Sequence, residues 1–100
     1  MTQELEHISR SRIPLPEVLE DLSDLAPDGD GGVWLLSDQS RRLAPLALPL
    51  VVGEAVAIGH AVDLPHKIGK PEGLAFLAGG LVAVSDDRHD EKDNPWIFRR

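Results

Sequence analysis

Serine and aspartate close two short apolar runs of this chain, and they are the first residues whose types suggest chemistry. Ser37 and Asp38 end one run, and Ser85 and Asp86 end the other. Oxygen side chains gathered at one end of a sheet suit a hard cation such as Ca²⁺. Serine and aspartate at strand ends also accept backbone hydrogen bonds and set turns, which is the interpretation that we favour. Asp86 is therefore a candidate metal ligand with a structural alternative.

Three basic side chains are candidates for contact with an anionic ligand. Arg41 and Arg42 are adjacent in a predicted hairpin, and His89 lies in the charged run 86–93, which holds five acidic residues. Arginine pairs on a surface more often partner nearby carboxylates. The acidic run is a solvated loop in the simpler interpretation and a cation site in the other.

Several familiar site motifs are absent. Residues 28–31 (DGDG) resemble the start of a calcium loop, but Gly32 and Gln39 occupy its fifth and twelfth positions, where oxygen ligands are needed. We therefore predict a hairpin turn there. The sequence contains no GxSxG, Walker, GxGxxG or HExxH motif. The lack of cysteine excludes a disulfide framework, a thiolate nucleophile and a cysteine-based zinc site.

Length and charge limit the classes of function. The chain has 100 residues, a size that suits one domain. Its net charge of −7 argues against non-specific nucleic-acid binding and leaves cation binding open. No apolar run approaches the roughly 20 residues of a membrane helix, so we expect no membrane partner. The acidic N-terminus lacks the layout of a secretory signal, which leaves the compartment undetermined.

The segments that carry these residues are predicted to be β-strands. Residues 1–18, with Pro14 and Pro16, are predicted to form a leader or extended segment. After Leu22, short apolar runs alternate with glycine, proline and aspartate clusters, which is the pattern of an all-β protein. We place the folded domain at residues 19–100.

An internal repeat refines this prediction. Residues 23–26 align with 72–75 at an offset of 49, and residues 31–38 align with 79–86 at an offset of 48. A period of about 40–50 residues with four short strands per unit is typical of β-propeller blades. Repeat 1 then spans about 22–58 and repeat 2 about 71–100. The fourth strand of repeat 1 is predicted at residues 51–58, followed by a crossing loop at residues 59–70.

Three segments resemble known β-propeller families. LSDLA at 22–26, LLSDQSRRL at 35–43 and PEGLA at 71–75 resemble blades of the SdiA-regulated and phytase-like esterase families. WIFR at 96–99 is similar to their closing strand. The resemblance covers about residues 19–100 and is to the C-terminal end of such a propeller. Asp24 departs from the pattern, since these families usually have glycine there.

The resemblance implies an architecture and a site. It implies about two four-stranded antiparallel blades, with Glu72 at the start of an innermost strand that lines a central channel. Glu72 would bind a metal or the next blade there, although the interpretation that we favour is a structural carboxylate satisfied by backbone N–H groups. Asp24 is a weaker metal candidate. The phytase-like name implies a hydrolase of phosphoric or other esters, for which Ca²⁺ is the possible cofactor. The periplasm or the outside of the cell would also suit the resemblance.

Two blades by themselves would leave two apolar faces bare, and three arrangements remain open. The chain is part of a longer propeller, closes a ring with copies of itself, or packs its two sheets together in one compact domain. The function that we expect first is a ligand- or partner-binding scaffold without activity of its own. The alternative is part of a calcium-dependent ester hydrolase completed by further blades or by oligomerisation.

Overall fold

The computed structural model describes residues 5–7, 15–48, 57–88 and 94–100. These residues form β-strands and no α-helix, which confirms the all-β prediction. The strands are β1 (Asp24–Pro27), β2 (Val33–Ser37), β3 (Arg42–Pro45), β4 (Val62–Asp63), β5 (Pro71–Leu77), β6 (Leu81–Asp86) and β7 (Trp96–Arg99). Across the described ranges, no helix is long and apolar enough to cross a membrane.

The strands form two antiparallel sheets, ordered β1-β2-β3-β4 and β5-β6-β7. The predicted turn at 28–31 joins β1 to β2. Oδ1 of Asp28 accepts hydrogen bonds from the N–H groups of Asp30 at 2.8 Å and Gly32 at 3.0 Å. Gly29 and Gly31 have φ values of 86° and 88°, which glycine adopts without a steric penalty. The aspartate-glycine pattern therefore builds a turn, as predicted.

The fourth strand of the first sheet differs from the prediction. Most of the predicted strand, residues 51–56, lies outside the described residues, and Ile58 forms a single bridge to Leu46. The strand that pairs with β3 is β4, inside the predicted crossing loop. Both residues of β4 are exposed, so the strand has no apolar run from which the sequence could predict it. An ion pair from Arg42 Nε to Asp63 Oδ1 at 2.9 Å reinforces this short pairing.

The main core lies between the two sheets. The first sheet and the segment after it contribute Ala26, Leu36, Leu43, Leu64 and Ile68, and the second sheet contributes Leu74, Val82 and Val84. A smaller cluster, Leu19, Leu35 and Ala44, covers the opposite face of the first sheet, and Leu15 packs against it. The predicted domain boundary at residue 19 therefore falls inside a segment that packs on the sheet.

Contacts at both ends show how the sheets are aligned. The N–H group of Leu74 in β5 donates to Asp24 Oδ2 in β1 at 2.8 Å. At the other end, Arg100 donates its backbone N–H to Gly80 O at 2.7 Å, and its guanidinium contacts Asp28 O at 3.4 Å and the Asp30 carboxylate at 3.7 Å. The β1–β2 and β5–β6 turns therefore lie at the same end, so β1 and β5 run in the same direction.

Strand pairing corrects the alignment of the two repeats. Ala26 pairs with Trp34, and Ala75 pairs with Ala83. If Ala26 corresponds to Ala75, Trp34 must correspond to Ala83, so the offset of 49 applies to both strands of the hairpin and the offset of 48 is wrong by one residue. A slip of one residue in a strand exchanges its two faces. Because alanine is compatible with either face of a strand, the sequence alone does not reveal this slip.

Candidate functional site

An apolar cleft suited to a ligand lies between the sheets. Its volume is about 560 Å³, and Trp34 and Leu43 of the first sheet line it. Phe76, Val82 and Phe98 line it from the second sheet. These three residues form one row across β5, β6 and β7, because Phe76 pairs with Val82 and Val82 pairs with Phe98. Strand register thus places both phenylalanines on the face that meets the first sheet.

The β1–β2 turn orients Trp34 in this cleft. The indole N–H of Trp34 donates to Asp28 Oδ2 at 3.3 Å, while the other oxygen of Asp28 organises the turn. The Trp34 and Phe76 ring centroids are 5.8 Å apart with a tilt of 45°. The N–H of Asp30 is the main cause of a lowered pKa at Asp28, with further hydrogen bonds from Gly32 and Trp34 acting against the effect of burial. A single ionised carboxylate therefore couples the turn to the cleft.

The cleft has charged groups among its lining residues. Arg99 and Arg100 border it from the second sheet, where pairing with Leu81 places the Arg99 side chain on the opposite face, and Asp63 borders it from the first. The Arg100 guanidinium lies 5.1 Å from the Phe76 ring centroid, a cation–π geometry. Asp63 is paired with Arg42, so its charge is balanced locally. The cleft is consequently apolar inside, with Arg100, which also contacts the Asp30 carboxylate at 3.7 Å, as the cation at its border.

The predicted ligand-binding arginines are used within the protein. Arg41 has a φ of 53°, and its guanidinium donates to the carbonyl oxygens of Ile68 and Gly69. Arg42 pairs with Asp63 and also donates to Val18 O at 3.2 Å. Both side chains therefore tie separate segments together. His89 lies outside the described residues.

Asp86, a predicted metal ligand, is buried and organises the segment before β5. Its carboxylate accepts hydrogen bonds from the N–H groups of Gly69 at 2.9 Å, Lys70 at 3.0 Å and Arg88 at 3.1 Å, and it pairs with the Arg88 guanidinium. Burial alone would raise the pKa of Asp86, but these hydrogen bonds outweigh it and hold the pKa at about 2. The geometry agrees with the structural interpretation of this aspartate.

Asp24, the weaker metal candidate, also has backbone partners for both oxygens. Oδ1 accepts from the N–H of Leu25, and Oδ2 accepts from the N–H of Leu74, each at 2.8 Å. The second bond joins the two sheets. Asp24 thus links β1 to β5.

Among the predicted metal residues, Glu72 is the one whose surroundings oppose its negative charge. It lies at a shift in strand register, since Pro71 pairs with Asp86 and Gly73 pairs with Ser85. Such bulges redirect a side chain. Burial raises the pKa of Glu72, as do hydrogen bonding with Asp38 and the negative charges nearby, while Lys70 opposes them.

The described residues do not assemble the expected calcium site. Among them, no group of three histidine, aspartate or glutamate side chains is placed to hold a metal ion. Glu72, Asp24 and Asp86 have separate partners, and the oxygens of the two aspartates are already occupied by N–H groups. The donor set present does not fit Ca²⁺, which takes six to eight oxygen ligands.

The aromatic residues of the cleft were not predicted as a site. The chain has only two tryptophans, two phenylalanines and no tyrosine. All four, Trp34, Phe76, Trp96 and Phe98, pack against the core between the sheets. Their scarcity and their placement in predicted strands were available as a signal. Their meeting in one cleft could not be predicted, because it depends on how one sheet packs on the other.

Comparison of the chain with protein-family models, with curated proteins and with solved structures found no match. The resemblance to the SdiA-regulated and phytase-like families stays a prediction that rests on the residues quoted for it.

Proposed function

We propose that this chain is a binding domain for a small apolar molecule that carries an anionic group. The observation that carries the proposal is the cleft of about 560 Å³ lined by Trp34, Phe76 and Phe98. Pockets for small molecules span about 300–1,000 Å³ and are mostly apolar with a few polar groups. The cleft meets both criteria.

The charge at the border supports the choice of ligand. Arg100 lies there, and its pair with the exposed Asp30 is long at 3.7 Å, whereas Asp63 is held by Arg42 at 2.9 Å. An apolar cation would meet repulsion from Arg100, and a neutral molecule would gain nothing from its charge. A carboxylate or sulfonate on an apolar body can pair with Arg100 while its apolar part fills the cleft.

Binding of decanoate by isothermal titration calorimetry tests this function. We expect saturable binding with one ligand per chain, and about tenfold weaker binding of decanol, since a charge-assisted hydrogen bond contributes about 1.5–3 kcal/mol. Arg100→Gln should remove the preference for decanoate and leave decanol binding in place. Lys67→Gln is the matched control, because Lys67 is an exposed cation outside the cleft.

A second variant tests the location of binding. Val62 lines the cleft and keeps 45% of its area exposed, so Val62→Trp should narrow the cleft without disturbing the core. We expect this variant to lose decanoate binding while its thermal unfolding stays close to that of the unmodified chain. Absence of saturable decanoate binding in the unmodified chain, or full binding in Val62→Trp, contradicts the proposal.

The propeller architecture is part of the same proposal. We infer that the sheets are two neighbouring blades, with β1 and β5 as their inner strands. The shared direction of β1 and β5 and the single repeat offset of 49 support this inference, because stacked repeats keep equivalent residues on equivalent faces. In that arrangement, the cleft is the gap between the outer parts of adjacent blades.

Ester hydrolysis remains a second candidate, favoured by one observation. Burial and the neighbouring Asp38 raise the pKa of Glu72, and such a carboxyl group can serve as a general acid. Turnover of p-nitrophenyl esters or of p-nitrophenyl phosphate, with and without added Ca²⁺, tests it. Activity lost in Glu72→Gln and retained in Glu17→Gln, an exposed control, would favour hydrolysis. No activity in the unmodified chain would contradict it for this chain alone.

A further inference from the structure

The outer face of the second sheet is apolar at its centre. The strand pairing places Ala75, Ala83 and Ile97 in one row across it, and Leu77 and Leu81 in the next row towards the β5–β6 turn. Leu77 and Ile97 keep 43% and 50% of their areas exposed. We define these five residues as the open face. Its small central residues would allow another sheet to approach to the usual spacing of about 10 Å.

The repeat indicates what kind of surface covers such a face. At the offset of 49, Ala75 and Ala83 correspond to Ala26 and Trp34 of the first sheet. Ala26 and Trp34 belong to the face that packs against the second sheet. The open face is thus the counterpart of a sheet face that another sheet covers.

The outer face of the first sheet is covered in part. Leu15 and Leu19 pack over Leu35 and Ala44 there, while Leu25 in β1, on the same face, keeps 54% of its area exposed. This cover keeps another sheet from packing on β2 and β3. Chains that are capped at one end and open at the other cannot extend into a filament or ring through these faces. A two-fold contact between identical surfaces is the closed arrangement that they allow.

Charges at the two ends of the open face select an orientation. Arg99 pairs with Leu81 at the end near the β5–β6 turn. Asp87 follows β6 at the other end and is exposed. A two-fold axis that reverses the strand direction brings Asp87 of each copy towards Arg99 of the other. An axis along the strands would instead place like charges together.

We propose that two copies of this chain associate through the open face, with their strands antiparallel across the contact. The three strands, about 4.8 Å apart, give a contact on the order of 300 Å² per copy. That area, about 600 Å² in total, is below the roughly 1,000 Å² of specific stable interfaces, so the association is weak and transient, with a dissociation constant of tens of micromolar or more. This inference does not depend on ligand binding in the cleft.

Sedimentation equilibrium between about 5 and 500 µM tests the association over the expected range. The average mass should rise from that of one chain towards that of two and no further. Ala83→Arg should raise the dissociation constant at least about tenfold, because it places a charge at the centre of the contact. Ala47→Arg is the control, since Ala47 is an exposed alanine outside the open face. Circular dichroism checks that both variants keep the sheet content.

Charge reversal tests the orientation. Asp87→Lys and Arg99→Glu should each weaken association, and the double variant should restore it. A monomer at the highest concentration, equal effects of Ala83→Arg and Ala47→Arg, or a discrete trimer or larger ring would overturn the two-fold contact. A double variant as weak as the singles would overturn the antiparallel arrangement.

Discussion

Arg41 and Asp86 hold opposite sides of the same short segment. The guanidinium of Arg41, in the first sheet, donates to the carbonyl oxygens of Ile68 and Gly69. The carboxylate of Asp86, in the second sheet, accepts from the N–H groups of Gly69 and Lys70. The chain enters β5 through this segment. Arg41 and Asp86, which the sequence suggested as ligand-binding and metal-binding residues, therefore hold the segment that leads from the first sheet into the second.

Asp86→Asn is expected to destabilise the fold at neutral pH by about 2 kcal/mol, because a neutral amide replaces a buried carboxylate that accepts several hydrogen bonds. The pKa of Asp86 is lowered from 3.8 to about 2, so its stabilising contribution is complete above pH 3.8 and disappears as the pH falls through about 2. Urea unfolding between pH 2 and 7 measures the difference between the two proteins. A difference that does not shrink below pH 3.8 would contradict this assignment.

Arg41→Ala is expected to cost about 1–3 kcal/mol, since it leaves the carbonyl oxygens of Ile68 and Gly69 without their donor. Arg41→Gly should cost about 0.5–1 kcal/mol less, because the left-handed φ of 53° costs alanine about 1–2 kcal/mol, of which the greater backbone entropy loss of glycine offsets only a part. Chemical denaturation of both variants gives the comparison. Equal losses, or a greater loss for glycine, would show that the backbone at this position is unstrained.

Glu72→Gln is expected to raise stability at pH 7 by about 0.5 kcal/mol or less, a small effect because the side chain is only half-buried and solvent screens it. The folded-state pKa of Glu72 is raised above 4.5, so its ionised form destabilises the fold as the pH rises past that value. The gain should vanish below pH 4.5, where the side chain is protonated in both states. Thermal unfolding at pH 4 and pH 7 measures it, and a loss of stability at pH 7 would contradict the prediction.

Asp28→Asn should release the Trp34 indole. The remaining oxygen can still accept from the N–H groups of Asp30 and Gly32, but the amide nitrogen cannot accept from the indole. We expect a small loss of stability and a shifted Trp34 indole signal in ¹H–¹⁵N spectra. Asp30→Asn is the control, because the Asp30 carboxylate has no contact with the indole. An unchanged indole signal in Asp28→Asn would mean that the hydrogen bond is not formed in solution.

Much of the fold could be predicted from the sequence because strands and turns leave local patterns. The glycines around Asp30 marked a turn, and the apolar runs marked β2 and β6. By contrast, β4 was missed because its two exposed residues carry no hydrophobic signal. The repeat stays a prediction, and the strand pairing requires one offset of 49 for both strands of each hairpin if Ala26 corresponds to Ala75.

The candidate site was harder to predict, for a different physical reason. Asp24, Asp86 and Arg41 have residue types suited to ligands, yet their partners are backbone groups distant in sequence. No local pattern shows whether a carboxylate meets an N–H group or a cation. The cleft depends on contacts between sheets, and Phe76 carries no motif of its own.

The measurement that tests the central claim most directly is a ¹H–¹⁵N NMR titration of the chain with decanoate. The sequence contains two tryptophans, so the spectrum has two indole signals. Binding in the cleft should shift the Trp34 signal and the backbone signals of Phe76 and Phe98 along one saturable curve, while signals around Leu19 stay in place. Unchanged signals at millimolar decanoate, or shifts centred away from the space between the sheets, would contradict the account.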